Sequence, residues 1–358
     1  MPENTKRVLV VDDSAFMRRL IAEVVELRDD FRVVGTAADG IEALDRIRSL
    51  TPDIVTLDVA MPRLDGLATL ERIMEEMPRP VIVVSAAGSS DLDASAIRAL
   101  ELGAVEFVRK PSGPVSIDLL AVREQLLHAL DAASAVSFAG GRLEATVPPA
   151  VTRTVVRPAP RKNAARVVVV ASSTGGPRAL AEVFSRLPAD LDAAVLVVQH
   201  MPPEFIPTLA DRLGQLTVLP VTVAANGDPV LSGRLYLAPG GGQLRLRRGT
   251  YSVTIEIDSG DPLCGSRPSA DPLFQSAARI FGRNAIGVVL SGMGRDGAVG
   301  LRSVRGAGGG AVVQDRASSI IYGMPAAALA AAGADAVVPA REIAGAISDL
   351  LAANRRVA

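Results

Sequence analysis

The chain has 358 residues, 49% of them apolar, which suffices for two ordinary domains with separate cores and excludes an intrinsically disordered protein. Its formal charge of −1, from 38 basic and 39 acidic residues, excludes a general electrostatic grip on nucleic acid. The one cysteine, Cys264, excludes an intrachain disulfide and a cysteine-built zinc site, and no uncharged apolar run reaches the length of a membrane span.

The first residues, MPENTKRVLVVDD, pass from a short polar lead straight into a strand, without the basic region and apolar segment of a secretory signal, so a cytoplasmic protein is expected. The runs 7–11 (RVLVV), 54–57 (IVTL) and 81–84 (VIVV) are short, apolar and β-branched, as in buried parallel strands. Further strands are expected near 33–36 and 105–108, with helices over 15–28, 39–49, 65–76 and 115–129. This α/β series defines a first domain at 1–130. Residues 131–163 lose any steady period and read as a linker. A second series fills 164–358, with strands at 166–171, 194–199, 285–290, 310–313 and 335–338. Helices are expected at 177–187, 203–213, 270–281, 296–305, 325–332 and 340–352. Within 219–257, Asn226-Gly227, Ser232-Gly233 and Gly240–Gly242 punctuate short strands that include RLYLA and QLRLR. They predict an antiparallel edge hairpin on a mostly parallel, doubly wound sheet.

In the first domain Asp12 and Asp13 follow the first strand, Asp58 the third, Ser85 the fourth and Lys110 the fifth. Strand ends of a parallel sheet share one edge, where ligands gather. Three carboxylates there repel one another unless a cation joins them, and a hard divalent ion such as Mg²⁺ suits oxygen ligands. Lys110 and Ser85 could meet a further anion, so the set suits phosphoryl transfer to a carboxylate. The plainer alternative is that each aspartate caps a helix.

In the second domain RVVVVASSTGGP runs from a strand into a glycine-rich turn carrying Ser172, Ser173 and Thr174. It lacks the lysine of a P-loop, the GxGxxG of a dinucleotide site and the GxSxG of a nucleophile elbow. A serine nucleophile needs a base. The domain's one histidine, His200, ends the strand run AVLVVQH, and His128, late in the first domain's last helix, is given no chemistry. Asp296, in SGMGRDG after the strand near 286–290, could orient the imidazole or merely cap the helix that follows it. Backbone N–H groups at Met293 and beside the serine, at Thr174, could hold an oxyanion. Ser173, His200 and Asp296 together predict acyl transfer to water.

Residues 6–130, with VLVVDDS, TLDVAMPRLDG, VVSA and VRKP in order, resemble a response-regulator receiver domain. The resemblance implies a flavodoxin-like fold of five parallel strands, Asp58 as phosphoacceptor, Asp12 and Asp13 holding Mg²⁺ with it, Ser85 and Lys110 sensing the phosphate, and Phe107 as the switch aromatic. Residues 165–350, with ASSTGGP, VVQHMPPEF, LAPGG, PSADPLFQSAA, LSGMGRDGAVG and QDRASSIIYGMP, resemble the catalytic domain of the chemotaxis protein-glutamate methylesterase (CheB) family. That implies a Ser173–His200–Asp296 triad, with Arg267 a candidate contact for an acidic substrate. It also implies a phosphorylation-relieved hydrolysis of glutamate γ-methyl esters on chemoreceptors, glutamine deamidation, a histidine kinase as phosphodonor, and association with receptor arrays. A monomer is expected, and no cofactor for the ester hydrolysis. The rival readings are a non-catalytic signalling adaptor and a DNA-binding regulator; the latter would need a basic recognition helix in the output domain.

Overall fold

In the computed structural model, which describes residues 5–85, 90–110, 116–136, 162–263 and 265–356, the apolar runs become the strands of two separate parallel sheets. Cys264 and most of the segment assigned to the linker lie outside the described residues. The chain divides into two units, residues 1–146 and 147–358.

The first unit runs β1 (Lys6–Val11), α1 (Ala15–Val25), β2 (Phe31–Ala37), α2 (Gly40–Leu50), β3 (Ile54–Asp58), α3 (Gly66–Glu76), β4 (Val81–Ser85), α4 (Ser90–Leu102), β5 (Glu106–Arg109) and α5 (Ser116–Ala135). Its five strands are all parallel, in the order β2-β1-β3-β4-β5. Helices cover both faces, which is why β3 and β4 are buried at every position and read as β-branched, nearly continuous apolar runs, interrupted inside the strand only by Thr56. The helix starts have local causes. Ser14, Asp39 and Asp65 each accept a hydrogen bond from an N–H of the first turn of α1, α2 and α3. Two details differ from the sequence expectation. No helix was expected at α4, because its apolar stripe (Ala96, Ile97, Ala99, Leu100) is half alanine and its first turn is polar. Helix α5 continues to Ala135, because alanines that look featureless in sequence (Ala129, Ala132, Ala133) pack against the core beside Leu130.

The second unit runs β6 (Val167–Ser172), α6 (Gly176–Phe184), β7 (Ala194–Gln199), α7 (Ile206–Leu216), β8 (Val221–Val223), β9 (Arg234–Leu237), β10 (Gln243–Arg248), β11 (Val253–Asp258), α8 (Ala270–Phe281), β12 (Ala285–Val289), α9 (Ala298–Gly306), β13 (Gly310–Gln314), α10 (Gly323–Ala332), β14 (Ala336–Val338) and α11 (Ala340–Arg356). Seven strands form a parallel sheet in the order β14-β13-β12-β6-β7-β9-β8. The antiparallel hairpin is β10–β11, a two-stranded sheet of its own. RLYL, expected in that hairpin, is instead β9, parallel to β7: Leu235, Tyr236 and Leu237 are all buried, as a strand covered on both faces requires. In β10, the buried Leu244 and Leu246 alternate with Arg245 and Arg247, the signature of a strand with one wet face. Each fully buried valine of β6 contributes about 1.5–3 kcal/mol of apolar burial. That burial fixes the middle of the sheet, and so the place where the loops after β12, β6 and β7 emerge.

Candidate active site and phosphoacceptor site

Ser173 and His200 leave neighbouring strands at one level. Ser172 lies opposite Gln199 in the β6–β7 register, and the His200 N–H donates to Ser172 O at 3.0 Å. On the other side of β6, the Ser173 N–H donates to Ser291 O at 3.0 Å, in the loop after β12. Three adjacent strands thus deliver the nucleophile candidate, the base candidate and the loop that carries Asp296. Gly292 of that loop is pressed against the serine: a Cβ added there would lie 2.8 Å from Ser173 Cβ and 2.3 Å from Met324 Sδ.

The imidazole of His200 meets Asp296 through Nε2, 2.8 Å from Oδ2. An ionised carboxylate only accepts, so Nε2 carries the proton and Nδ1 keeps its lone pair. This interchanges the two nitrogens relative to the chymotrypsin-type triad, where the carboxylate meets Nδ1. Asp296 is buried, yet richly supplied with donors. Oδ2 also accepts from Ala270 N at 2.7 Å, and Oδ1 from Ser269 Oγ at 2.6 Å, Gly297 N at 2.9 Å and Asp271 N at 3.3 Å. It therefore sits on the positive N-terminus of α8, rather than capping the following helix, α9, with its side chain. Burial pushes its carboxyl up, but the hydrogen bond and charge of His200, then Ser269 and Ala270, outweigh this and hold it below the usual carboxylate range. The adjacent Asp271 goes the other way. Burial raises its carboxyl, the hydrogen bond from Gly300 N at 2.7 Å only partly offsets this, and the charge of Asp296 adds to the rise.

Thr174 is buried, and its carbonyl accepts from Ser291 Oγ at 2.8 Å. Gly292, immediately before Met293, is pinned through both its main-chain groups, its N–H to Ile321 O at 3.0 Å and its carbonyl to Met324 N at 2.8 Å. Met293 is 37% exposed. Arg267 is exposed, with Nη1 at 3.4 Å from the carbonyls of both Ser259 and Gly260. His128 is exposed on α5.

In the first unit Asp12, Asp13 and Asp58 each bring one carboxylate oxygen within 4.8 Å of the other two, with Asp12 and Asp58 buried and Asp13 exposed. Lys110 Nζ is 2.7 Å from Asp12 Oδ2 and 2.8 Å from Asp58 Oδ2. Burial pushes the Asp58 carboxyl up, and the charge of Asp12 adds to this; Lys110 opposes them without prevailing. Burial draws the Lys110 ammonium down, but its bonds to Asp12 and Asp58 leave it raised. One ammonium against three carboxylates leaves net negative charge on an all-oxygen donor set, which fits a hard cation such as Mg²⁺. Ser85 is buried at the end of β4, and Phe107 is half-buried on β5.

Ser269, Ser291 and Gln314 escaped the sequence reading. Gln314 Oε1 accepts from Ser291 N at 2.7 Å, which fixes the base of the Met293 loop. Their only sequence signal was a polar residue closing an apolar strand or opening a helix. Among the described residues no helix is long and apolar enough to cross a membrane.

A family model described as CheB methylesterase matches residues 168–347, and one described as response regulator receiver domain matches residues 8–121. A protein-glutamate methylesterase/protein-glutamine glutaminase 1 of Syntrophomonas wolfei is 42% identical over 342 residues, covering 94% of this chain and 97% of its own. A protein of Symbiobacterium thermophilum named protein-glutamate methylesterase/protein-glutamine glutaminase is 43% identical over 352 residues, covering 96% of each chain. Among solved structures, the Thermotoga maritima CheB methylesterase catalytic domain is 37% identical with a TM-score of 0.51, covering 52% of this chain and 98% of that one.

Proposed function

Because the chain belongs to the CheB methylesterase family, we propose that it hydrolyses glutamate γ-methyl esters of methyl-accepting chemoreceptors, releasing methanol, and deamidates particular receptor glutamines. The observation that carries this reading is the His200–Asp296 pair at 2.8 Å, one strand over from Ser173. Ser173 Oγ attacks the ester carbonyl carbon while His200 Nδ1 takes its proton. Asp296, held by its other donors, steadies the imidazolium through Nε2. Backbone N–H groups at Met293 and Thr174 receive the oxyanion. His200 returns the proton to the departing methoxide, and water then clears the acyl-serine by the same route, leaving glutamate. With a glutamine, ammonia leaves instead. The exposed Arg267 offers charge to an acidic substrate helix.

Control resides in the receiver unit, joined to the catalytic domain (164–358) by the segment that follows α5. Asp58 accepts a phosphoryl group from the chemotaxis histidine kinase, and this raises the hydrolysis rate. Asp12, Asp13 and Asp58 would hold Mg²⁺, which when bound neutralises negative charge at the phosphoacceptor. Ser85 and Lys110 contact the phosphate, and Phe107 carries the switch. The protein acts as a monomer in the cytoplasm, at receptor arrays.

The test is methanol release from methylated receptor membranes by wild type and Ser173→Ala, each with and without a small phosphodonor plus Mg²⁺. Release that rises with phosphodonor and vanishes in the variant is expected. No release from wild type on any cognate receptor would sink the esterase reading in favour of a non-catalytic adaptor. Release indifferent to phosphodonor would keep the chemistry and remove the switch.

A further inference from the structure

β7 is apolar except at its last residue. Gln199 ends the strand 2% exposed, in an otherwise dry environment where a lone amide is costly unless fully bonded. Its bonds are complete and specific. Gln199 Nε2 donates to Ser173 O at 2.9 Å and to His200 O at 3.0 Å. Ser172 Oγ lies 2.7 Å from Gln199 Oε1 and donates to it. The amide orientation follows from chemistry: two backbone carbonyls can only accept, so the atom facing both must be the NH₂. One planar group thus spans the ends of β6 and β7 and binds the backbone of the nucleophile and of the base simultaneously. The helix beside it leaves room only for glycine. A Cβ on Gly176, the first residue of α6, would lie 2.0 Å from Gln199 Oε1.

We propose that Gln199 is a positioning residue for the hydrolysis, fixing the separation of Ser173 from His200 through their main chains, with Ser172 orienting its amide. This rests on the reading of Ser173 and His200 as nucleophile and base. The two strands are already joined by their ladder up to Ser172 and Gln199, and the reacting residues lie one position beyond it. There the Gln199 amide supplements the single bond from His200 N to Ser172 O. Two N–H donors from one rigid plane couple the carbonyls in a way that separate capping residues would not. The proposal also gives distinct work to the serines of ASSTGGP: Ser172, fully buried, serves the scaffold, and Ser173 serves the reaction.

The experiment compares wild type, Gln199→Met, Gln199→Glu and Ser172→Ala. Each is assayed by methanol release from methylated receptor membranes and by the rate at which a phosphonofluoridate probe labels Ser173, with thermal unfolding as the check on folding. Gln199→Met keeps the volume and removes both donors. Its kcat should fall on the order of 100-fold, the scale of a small misplacement of reacting groups, and KM should stay within about 2-fold. Labelling of Ser173 should slow in parallel. Gln199→Glu should lose activity as pH rises, because its ionised carboxylate faces two carbonyls; it should regain part at low pH, where the protonated acid donates to one of them. Ser172→Ala should lose only several-fold. The proposal is overturned if folded Gln199→Met matches wild type in kcat and labelling, or if the loss merely tracks the unfolded fraction. Should the glutamine variants fail to fold, an unchanged Ser172→Ala overturns it, and a several-fold fall in kcat at constant KM supports it. If wild type releases no methanol while Gln199→Met still slows labelling, the substrate reading fails and the positioning role stands.

Discussion

Asp58 and Asp296 occupy matching places in two sheets, each a carboxylate 2% exposed at the C-terminal edge of parallel strands, yet their environments drive them apart. Asp58 accepts from Lys110 Nζ at 2.8 Å and Ala60 N at 3.3 Å, with the carboxylate of Asp12 nearby, and its carboxyl is raised. Asp296 accepts from His200, Ser269, Ala270, Asp271 and Gly297, and its carboxyl is lowered. Burial is the largest influence at both and acts in the same direction. The number of donors decides the outcome. The difference suits the two proposed roles. A phosphoacceptor must keep an oxygen available for phosphorus, whereas a carboxylate that steadies an imidazolium must stay ionised and fixed.

The sharpest way to break the comparison is to spoil the well-supplied carboxylate. Asp296→Asn puts an amide among donors, so Ser269 Oγ–H and the α8 N–H groups lose an acceptor and His200 loses its anion. kcat should fall on the order of 10⁴-fold, about 5.5 kcal/mol, as for the equivalent change in a serine-protease triad. The same carboxylate predicts a pH effect on stability. Its folded pKa lies below the unfolded value, so its contribution is present above about pH 4 and is lost as pH falls through the folded pKa. Thermal unfolding of the second unit between pH 7 and pH 2.5 should show that acid loss in wild type and a shallower one in Asp296→Asn. Equal slopes would mean that Asp296 is not held as its contacts indicate.

The poorly supplied carboxylate should respond to charge instead. Mg²⁺ at about 100 times its Kd should stabilise the receiver unit by about 2.7 kcal/mol, read as a rise in its unfolding midpoint. Asp13→Asn should weaken this response by removing an exposed member of the donor set. A response unchanged by Asp13→Asn would place the ion elsewhere. A smaller effect should follow from Asp58→Asn in chelator-treated protein, where the repulsion between Asp58 and Asp12 disappears. The receiver transition should rise by about 3 °C, corresponding to roughly 1 kcal/mol. A fall would mean that the bond from Lys110 outweighs burial and repulsion at Asp58.

The sequence makes strand ends easy to find and their supports hard to find. β-branched runs stop abruptly at Asp12, Asp58, Ser173 and His200, because a strand covered on both faces accommodates charged and strongly polar residues most readily where it leaves the sheet. Those stops expose most of both sites. Asp296 lies in a loop six residues beyond Leu290, and its contact with the N-terminus of α8 joins segments 25 to 27 residues apart, which no local pattern encodes. Gln199 and Ser269 are invisible for the same reason: each is one polar residue whose partners lie in other elements. RLYL and QLRLRR are separable in hindsight by alternation, because arginine recurs at every second position in one of them alone.

The finest distinction between the two sites rests on whether the donors of Asp296 are redundant, and Ser269→Ala measures that. Ser269 precedes α8, and its hydroxyl reaches Asp296 Oδ1 at 2.6 Å, while its own N–H is held by Gln243 Oε1 at 2.8 Å. Removing the hydroxyl leaves Oδ1 with Gly297 N and Asp271 N, and Oδ2 with His200 and Ala270 N. A hydrogen bond to a charged group is worth about 1.5–3 kcal/mol, but only the part that differs between ground and transition states reaches the rate. The carboxylate is ionised in both states, so most of the loss should appear in stability. kcat should therefore fall only a few-fold, below about 1 kcal/mol, with the acid limb of the stability profile moving toward higher pH as the carboxyl rises. A loss approaching that of Asp296→Asn would show instead that the hydroxyl sets the direction of the carboxylate, and that the backbone donors alone leave it turned away from His200.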